Sequence, residues 1–532
     1  MQKSIYTVLL LCAPAVMAAQ DNLEYNLKKY QLPAQSVLDS RRWHNLDVEN
    51  SQVYNARYMG SLVNFMAEVG DTCAFSYLRR CNRNILSVSV DNANNSGIYL
   101  HYDGKRRTFG NILAGGELHI KGRGTLYGMA SYSNGSTTGS SLNYVAHPEN
   151  AAPYFVSDTL GCRTMHRETY TVSGGFSFRC GGFDLGTDAS YEGVALSSTH
   201  DPKLANYSHY IRLGAGISRL FGRNILALRL TPEWSRESVS ASSILDGVKY
   251  FQFYGFGLWN RRESQGAIGY GRQQTMLGVG ADLSWMHDGA WHWTLAAGWR
   301  HRKVDTEETS FKQLFGSSTT HLYQQLMVSR SFDGSSLHLQ LSADEHLRKG
   351  DEAVYQQQVQ DADAGLYDYV KVGSNQLYSN KWLAVDFRAK YILQITESSS
   401  AAILGGVTYR GFEEKYDSPL MKVENKTTEV HIAAEYRTVA GRCKLGTDIH
   451  ASVQGASDNN YMVPGNADKT QLTMAYNPYL MRGENHQSIG AALRMSVPLK
   501  AERSIGTYIA ADYLNSDYRR SILMRAGLFY TF

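Results

Sequence analysis

One stretch of the chain places an acid, a base and a hydroxyl at alternate positions: Asp448, His450 and Ser452. Alternate residues share one face of an extended strand. A serine hydrolase needs a base beside its nucleophile and a third group that orients the base. The spacing is therefore compatible with hydrolysis, but the His-x-Ser pair recurs at His486 and Ser488, as chance would produce. We predict that the protein is not an enzyme.

A larger group of charged side chains recurs at every second position of similar stretches. Each lies opposite a row of apolar residues, as Arg212 does between Ile211 and Leu213. Both signs of charge are present, so the surface that they form should be wet without strong ion selectivity. The alternative is that the charges pair with one another in buried ladders, and the sequence leaves both open. The candidates are Arg212, Arg229, Arg300, Arg388, Lys390, Arg437, Arg494, Arg525, Asp188, Glu192, Asp282, Asp386, Asp448 and Asp512.

Composition and motifs argue against several other classes of protein. The chain has 53 basic and 49 acidic residues, a net charge of +4, which is no footprint of nucleic-acid binding. It contains no P-loop, no dinucleotide fingerprint and no HExxH sequence. We predict no cofactor, no metal and no nucleic-acid partner.

The elements that carry these residues alternate with period two. In residues 504–514, for example, Ile505, Ile509 and Tyr513 oppose Ser504 and Asp512. Such alternation is typical of strands. The stretches are roughly 10–14 residues long, whereas globular strands average about 5–6 and a strand tilted across a bilayer needs about 9–11. The length therefore favours strands that span a membrane.

A spanning sheet cannot leave an edge unpaired in lipid, so the strands must close into a barrel. Short glycine turns join many of them, such as RCGGFD, LFGRN, SFDGSS and VAGRC. The prediction is an all-β, transmembrane, antiparallel up-and-down barrel of about 20–22 strands over residues 59–532. The strand faces that carry the charged candidates would then face the lumen.

Connections and strand count are less consistent with one another. Long polar connections are expected at residues 133–165, 304–318, 348–379, 413–426 and 455–468. Four strands are counted after residue 468, which leaves the two ends of the barrel on opposite sides. An even number of strands would put both on one side, so the count has an error after residue 455.

The first residues have the pattern of an export signal. Lys3 precedes an apolar run, and Val16, Met17 and Ala18 have the small-x-small form of a cleavage site, which predicts a signal peptide at residues 1–19. Residues 20–58 then form a lead segment or a small plug. The mature cysteines show no CxxC pattern, and free thiols and hairpin disulfides (Cys73 with Cys81, Cys162 with Cys180) both remain open.

The chain ends on the alternating stretch MRAGLFYTF, with Leu528, Tyr530 and Phe532 on one face. This ending resembles the carboxy-terminal signal that the barrel-assembly machinery of the outer membrane recognises. Together with the signal peptide, the long barrel and the short lead, it resembles outer-membrane barrels of Bacteroidota that lack a settled activity. The resemblance implies export to the outer membrane of a Gram-negative bacterium, with its lipids and that machinery as partners.

Three functions fit this barrel. The first is a channel or transport component for small solutes, and the second is a scaffold or accessory subunit of a surface uptake or secretion complex. For the second, residues 349–379 are the expected contact with a surface lipoprotein or transporter, because functional loops sit on rigid scaffolds. The third, an outer-membrane hydrolase, rests on the His-x-Ser spacing alone.

Overall fold

The structure is a computed structural model that describes residues 83–531, apart from gaps of at most six residues. The predicted signal peptide, the lead segment and an early strand expected near residues 62–70 lie outside the described residues. Of the cysteines, Cys180 and Cys443 are described, and both are free thiols. The hairpin disulfide between Cys162 and Cys180 is therefore not formed.

The described residues form 21 strands and one helix. The strands are β1 Arg83–Gly97, β2 Arg106–Ile120, β3 Gly124–Ser140, β4 Phe155–Asp158, β5 Arg163–Cys180, β6 Phe183–Ser198, β7 Lys203–Phe221, β8 Asn224–Ser242, β9 Lys249–Tyr254, β10 Asn260–Gln265, β11 Gly269–His287, β12 His292–Glu308, β13 Phe311–Phe332, β14 Ser335–Asp361, β15 Leu366–Thr396, β16 Ser399–Asp417, β17 Leu420–Ala440, β18 Cys443–Met462, β19 His486–Pro498, β20 Ser504–Ser516 and β21 Arg519–Thr531. The helix, α1, is Lys469–Arg482.

Eighteen of the strands form one closed antiparallel sheet. Each barrel strand pairs with the next barrel strand along the chain, and β1 pairs with β21, with Val88 opposite Leu528. The fold is thus the predicted up-and-down barrel, with no free edge among its eighteen strands. The remaining strands, β4, β9 and β10, form a separate three-stranded sheet outside the wall.

The barrel has eighteen strands rather than the expected 20–22, because three of the 21 described strands lie in connections. The error after residue 455 is also resolved. Four strands were expected after residue 468, but residues 469–482 form helix α1, so only three strands follow and both ends of the barrel meet at one side. No helix in the described part of the chain is long and apolar enough to cross a membrane.

The two ends of the barrel differ in their connections. At the turn end, two-residue turns at 181–182, 222–223, 333–334 and 441–442 join consecutive strands. Each has a glycine with positive φ, such as Gly222 at 60°, a conformation that other residues rarely adopt. At the opposite loop end, β3 and β5, β8 and β11, and β18 and β19 are joined by long connections.

Three of the five expected long connections were wrong. Within residues 304–318, 348–379 and 413–426, strands β12 to β17 run on well past the length that crosses a bilayer. The longest, β14 and β15, have 27 and 31 residues. Residues 133–165 contain the connection between Ser140 and Arg163, and residues 455–468 overlap the start of the connection between Met462 and His486. Strands above the membrane have water on both faces, so their sequences lose the alternation.

The outer surface of the barrel carries an apolar belt. Exposed leucine, isoleucine and valine side chains alternate with interior residues along each strand, as with Leu226, Leu228 and Leu230 on β8. Exposed rings flank the belt on both sides. Near the turn end they are Tyr391, Tyr436, Phe221 and Phe332. On the other side of the belt, about ten residues from the turns along their strands, they are Tyr170, Tyr191, Trp299 and Tyr513. This is the surface that a membrane-spanning barrel presents to lipid.

The last strand contributes to this belt. Met524 and Leu528 are 55% and 62% exposed, whereas Arg525 and Phe529, the residue after each, are buried. The apolar residues of the alternating carboxy-terminal sequence thus form the lipid-facing side of β21. One edge of this strand pairs with β1 and closes the barrel. Phe532 lies outside the described residues.

Strands β14 and β15 extend beyond their neighbours as a hairpin. The pairing of β14 with β13 ends at Glu352, and that of β15 with β16 ends at Tyr378. Residues 353–361 and 366–374 therefore pair only with each other, and we call them the hairpin tip. The tip leans on the end of β13, where the Tyr355 hydroxyl donates to the Gln313 carbonyl at 2.5 Å.

Candidate functional site

The interior face of the barrel is charged rather than apolar. All the charged residues expected to face inward are buried or half-buried, and most lie beside an opposite charge. Those that are buried are Arg212, Arg229, Arg300, Arg494, Arg525, Asp188, Asp386 and Asp448. Those that are half-buried are Glu192, Asp282, Arg388, Lys390, Arg437 and Asp512.

The densest group, which we call the arginine cluster, lies on β6 to β12. It consists of Arg212, Arg229, Arg300 and Arg302 with Asp188, Glu233 and Asp282. Arg302 Nε donates to Glu233 Oε2 at 2.7 Å, and Arg300 Nη1 lies 3.7 Å from Glu233 Oε1. Arg229 bonds to Asp188. One carboxylate thus holds two guanidinium groups, and Arg300 is only 1% exposed.

Glycines between the strands make these contacts geometrically feasible. Glu233 on β8 and Arg302 on β12 are separated by β11, whose Gly278 stands between them in register. A Cβ added to Gly278 would lie 3.1 Å from Arg302 Cγ and 3.3 Å from Glu233 Cβ. A larger residue there would force the two side chains apart. The two side chains therefore meet over Gly278, although their strands are separated by β11. We call a glycine in this position a saddle.

The same device recurs around the barrel. Gly214 lies under the contact between Asp188 and Arg229, and a Cβ there would meet both side chains at less than 3 Å. On β12, Gly298 lies under the Tyr323 hydroxyl, which donates to Asp282 Oδ1 at 2.6 Å. The interior glycines are thus required by close contact rather than by φ.

The other side of the barrel is also paired. Arg388 lies 2.7 Å from Asp386, and Glu435 accepts from both Lys390 and Arg437 at 2.7 and 3.0 Å. Further pairs join Arg410 to Glu429 at 2.8 Å, Arg494 to Asp448 at 3.6 Å and Arg525 to Asp91 at 3.5 Å. Opposite charges are therefore paired on this side of the wall as well, within one strand, between neighbouring strands or across one intervening strand.

The structure separates the residues of the His-x-Ser spacing. His450 Nε2 lies 2.8 Å from Asp512 Oδ1, across the saddle of Gly490. The Ser452 hydroxyl instead hydrogen-bonds to that of Ser488 at 2.7 Å. Base and hydroxyl are thus held by different partners in the arrangement that the structure shows.

Two segments fold inward at the loop end. The first is residues 144–147, after β3, where Tyr144 and Ala146 are buried against the interior face. The Asn206 amide donates to Tyr144 O at 2.7 Å, and Ala146 N donates to Glu237 Oε1 at 2.8 Å. Further along the same connection, the ring of Tyr154 stacks on Phe315 of β13 at 4.4 Å. This connection therefore touches the wall at two separate places.

The second inward segment is helix α1 and the residues that follow it. The Arg482 guanidinium lies 3.8 Å from the centre of the Phe412 ring, on the interior face of β16. Glu484 is buried, pairs with Arg519 at 2.7 Å and accepts from the Ser516 hydroxyl at 2.6 Å. Burial raises the pKa of the Glu484 carboxyl, against the opposing effect of Arg519. The helix is thus anchored across β16 and β19 to β21.

The sequence failed to identify several of these residues. Arg302 shares its face with Arg300, so the same alternation could have found it. Glu484 and Arg519 stand outside alternating stretches, at the ends of connections, and nothing local marks them. Pairing in the closed sheet brings them together.

Within the part of the chain that the structure describes, no group of three or more His, Cys, Asp or Glu side chains is placed to hold a metal ion. The arrangement offers polar and charged surface along a lumen, with ring-rich packing at its loop end. Chemically, it suits contact with water and polar solutes.

Comparison with known proteins places the chain in a family whose function is unknown. Residues 74–530 match the model of the Family of unknown function (DUF6850), and the chain belongs to this family. No curated protein matches the sequence.

Several solved structures are similar to this one in part. A variant of the ferric enterobactin receptor PfeA from Pseudomonas aeruginosa has 10% identity and a TM-score of 0.38, covering 85% of this chain and 80% of its own. The ferric preacinetobactin receptor BauA from Acinetobacter baumannii has 9% identity and a TM-score of 0.38, covering 84% and 80%. The outer membrane transporter YddB from Escherichia coli has 11% identity and a TM-score of 0.36, covering 85% and 81%.

Proposed function

We propose that this member of the DUF6850 family is an outer-membrane barrel that carries small polar solutes through its lumen. The observation that supports this most directly is the charge-balanced interior wall. Barrels of about 16–18 strands leave an aqueous channel when nothing fills them. A wall of paired charges suits such a channel, because it is wetted without holding a charged solute strongly.

The outer membrane is proposed from the surface of the barrel. A closed antiparallel sheet with an apolar belt, flanking rings, short turns at one end and long connections at the other is the form of bacterial outer-membrane barrels. By that comparison the turn end lies in the periplasm and the loop end at the cell surface. We assign no catalytic step to the barrel.

The inward segments would narrow the path at the cell-surface end. Residues 144–147 cover part of the wall on β7 and β8, and α1 covers part of β16. A solute would then pass between them before it meets the paired charges. We expect a small conductance in the complete protein, and a larger one when the helix is removed.

The test is single-channel conductance of the full chain in a planar bilayer. One variant deletes residues 469–482, and a matched control deletes the hairpin tip, which pairs only with itself and lies outside the wall. We expect steady openings in the complete protein, larger openings without α1, and no change without the tip. Silence of all three would contradict the proposal and favour a scaffold.

A scaffold role is the second candidate, supported by the hairpin tip. Its side chains Val359, Tyr369 and Val372 are exposed, and both edges of the two-stranded tip are unpaired in the described residues. Unpaired edges are sites where a partner strand can add. The partner would be a surface lipoprotein or a transporter.

Photo-crosslinking in the native membrane tests this second role. A photoreactive residue replaces Val359 in the tip, and a control replaces Tyr518, an exposed residue of the turn between β20 and β21 at the same end. We expect a discrete crosslinked protein from Val359 alone. If neither position gives a crosslinked protein, or if both positions give the same crosslinked proteins, the tip has no specific partner.

A further inference from the structure

We propose that the turn end of the barrel carries two binding sites for the phosphate of an anionic phospholipid head group. Each site is an arginine held over two aromatic rings, which we call a clamp. The first clamp is Arg219 with Phe183 and Phe221. The second is Arg330 with Trp291 and Phe332.

The two clamps have the same geometry. The Arg219 guanidinium carbon lies 5.0 Å from the ring centre of Phe183 and 4.8 Å from that of Phe221. In the second clamp, Arg330 lies 5.1 Å from Trp291 and 4.9 Å from Phe332. At such distances the ring faces attract and order the cation.

The clamps are also built the same way in sequence. Ser218 to Phe221 reads SRLF before Gly222, and Ser329 to Phe332 reads SRSF before Gly334. In both, one ring stands two residues after the arginine on the same strand. The other is the first residue of the preceding barrel strand in one clamp, Phe183, and the residue just before that strand in the other, Trp291. Two hairpins that are far apart in the chain therefore have the same arrangement of arginine and rings, which points to a shared role.

The clamps face lipid at head-group level. Arg219 shares its face of β7 with Leu213 and Ile217, which are exposed members of the apolar belt. It stands three residues before Gly222, and Arg330 stands three before Asp333, so both lie at the turn-end border of the belt. Aromatic rings at this border sit among lipid head groups.

The charge of each clamp is uncompensated by the chain. Among the described residues, neither Arg219 nor Arg330 is in an ion pair with a carboxylate, in contrast with the paired arginines of the interior wall. A guanidinium is weakly hydrated and matches the oxygens of a phosphate in two parallel hydrogen bonds. Lipid phosphates are the anions available at that depth, and an unbalanced positive charge favours anionic over zwitterionic lipids.

The surface between the clamps is ordered as well. On β8 and β11, Asn224 Oδ1 accepts from Trp285 Nε1 at 3.2 Å and lies 2.9 Å from His287 Nδ1. Trp285 in turn packs edge-on against Trp293 at 4.5 Å. The two arginines are thus the charged ends of one aromatic rim that runs from β6 to β13.

Native mass spectrometry of the full-length protein tests the proposal, with phosphatidylglycerol and phosphatidylcholine as probes. The clamp variant is Arg219→Gln with Arg330→Gln. The matched control is Arg223→Gln with Arg442→Gln, which removes two exposed arginines from turns of the same end that have no ring beneath them. A third variant, Phe221→Leu with Phe332→Leu, keeps the charge and removes a ring from each clamp.

We expect the wild-type protein to retain phosphatidylglycerol in preference to phosphatidylcholine, and each lost clamp arginine to weaken that binding about fivefold. The ring variant should weaken it less, and the turn control should leave it unchanged. The proposal is overturned if both lipids bind alike, if the control loses as much as the clamp variant, or if the clamp variant binds like wild type. Heat-dependent gel migration shows that each variant is folded.

Discussion

At the scale of single residues, the interior of this barrel shows how charge is kept inside a wall. A buried charge is costly unless an opposite charge meets it at close range. Strands next but one to each other are too far apart for most side chains to meet, and a glycine on the strand between them clears the path. Gly278, Gly214 and Gly490 do this for three separate pairs. Each of these pairs therefore depends on the glycine of the strand that lies between its two members.

The arginine cluster gives the first prediction. Glu233→Gln removes the carboxylate that Arg300 and Arg302 share, and leaves two buried guanidinium groups without it. Breaking a buried pair from one side destabilises by about 3–5 kcal/mol, and we expect a loss of that order in the free energy of unfolding. Urea titration in lipid vesicles, followed by tryptophan fluorescence, measures it.

The control for Glu233 is another interior glutamate, Glu192. Its ion pair with His147 is a long contact of 3.9 Å, and its side chain is 28% exposed. Glu192→Gln should therefore change the free energy of unfolding by less than about 1 kcal/mol. Equal losses in the two variants would show that the shared carboxylate has no special part in stability.

The saddle at Gly490 gives the second prediction. A Cβ there would lie 2.1 Å from His450 Cε1 and 2.2 Å from Asp512 Oδ1, so Gly490→Ala must displace their contact. We expect it to destabilise the barrel by about 1–3 kcal/mol in the same urea titration. Gly405→Ala is the matched substitution, since nothing lies within 4 Å of its Cβ position. That variant should be neutral or slightly stabilising, and a similar cost at both sites would refute the saddle.

At the scale of elements, the sequence was informative where lipid and water lie on opposite faces of a strand. There the period of two is strict, and the alternating stretch at residues 504–514 corresponds to β20, Ser504–Ser516, almost to its ends. Above the membrane both faces meet water, the alternation fades, and the outer parts of β14 and β15 resembled polar loops. The strands continue past the membrane border, but the alternation of apolar and polar residues that identifies them in the sequence ends there.

The same limit applies to the candidate site. Alternation is enough to assign Arg300 or Asp448 to the interior face, because it needs only the position along a strand. The partner of each charge depends on register and on closure, which link residues such as Arg525 and Asp91 from opposite ends of the chain. Helix α1 was missed because its sequence has a weak amphipathic pattern and contains Pro478.

The hairpin tip gives the third prediction. Residues 353–374 lie beyond the pairing with β13 and β16 and pair only with one another, so their removal takes no strand pairing from the barrel. We expect a variant with a short glycine turn in their place to keep its resistance to unfolding by heat in detergent gels. The comparison is a deletion of the 19 residues of β16, Ser399–Asp417. A tip deletion that fails to fold would show that the tip guides assembly of the wall.

At the scale of the whole molecule, closure is what makes the other features compatible. Each barrel strand has two partners, so no backbone group of the wall must face lipid unpaired. The even number of strands brings β1 and β21 together, and the seam between them joins the two ends of the described chain. If the seam were shifted by one residue, the lipid-facing and interior residues of β21 would exchange faces.

The register of this seam gives the last prediction. Val90 stands opposite Ala526, and both are exposed on the lipid side. Opposed residues of an antiparallel pair have Cβ atoms about 4.5–5.5 Å apart, close enough for a disulfide after small adjustment. In a background whose native cysteines are replaced by serine, Val90→Cys with Ala526→Cys should crosslink on mild oxidation, which shifts the unfolded chain on a gel. Val90→Cys with Ile522→Cys moves one thiol four residues, about 13 Å, along β21, and should remain uncrosslinked. Crosslinking of the second pair alone would mean that the barrel closes in a register shifted by four residues, and the pairing of Arg525 with Asp91 would then need revision.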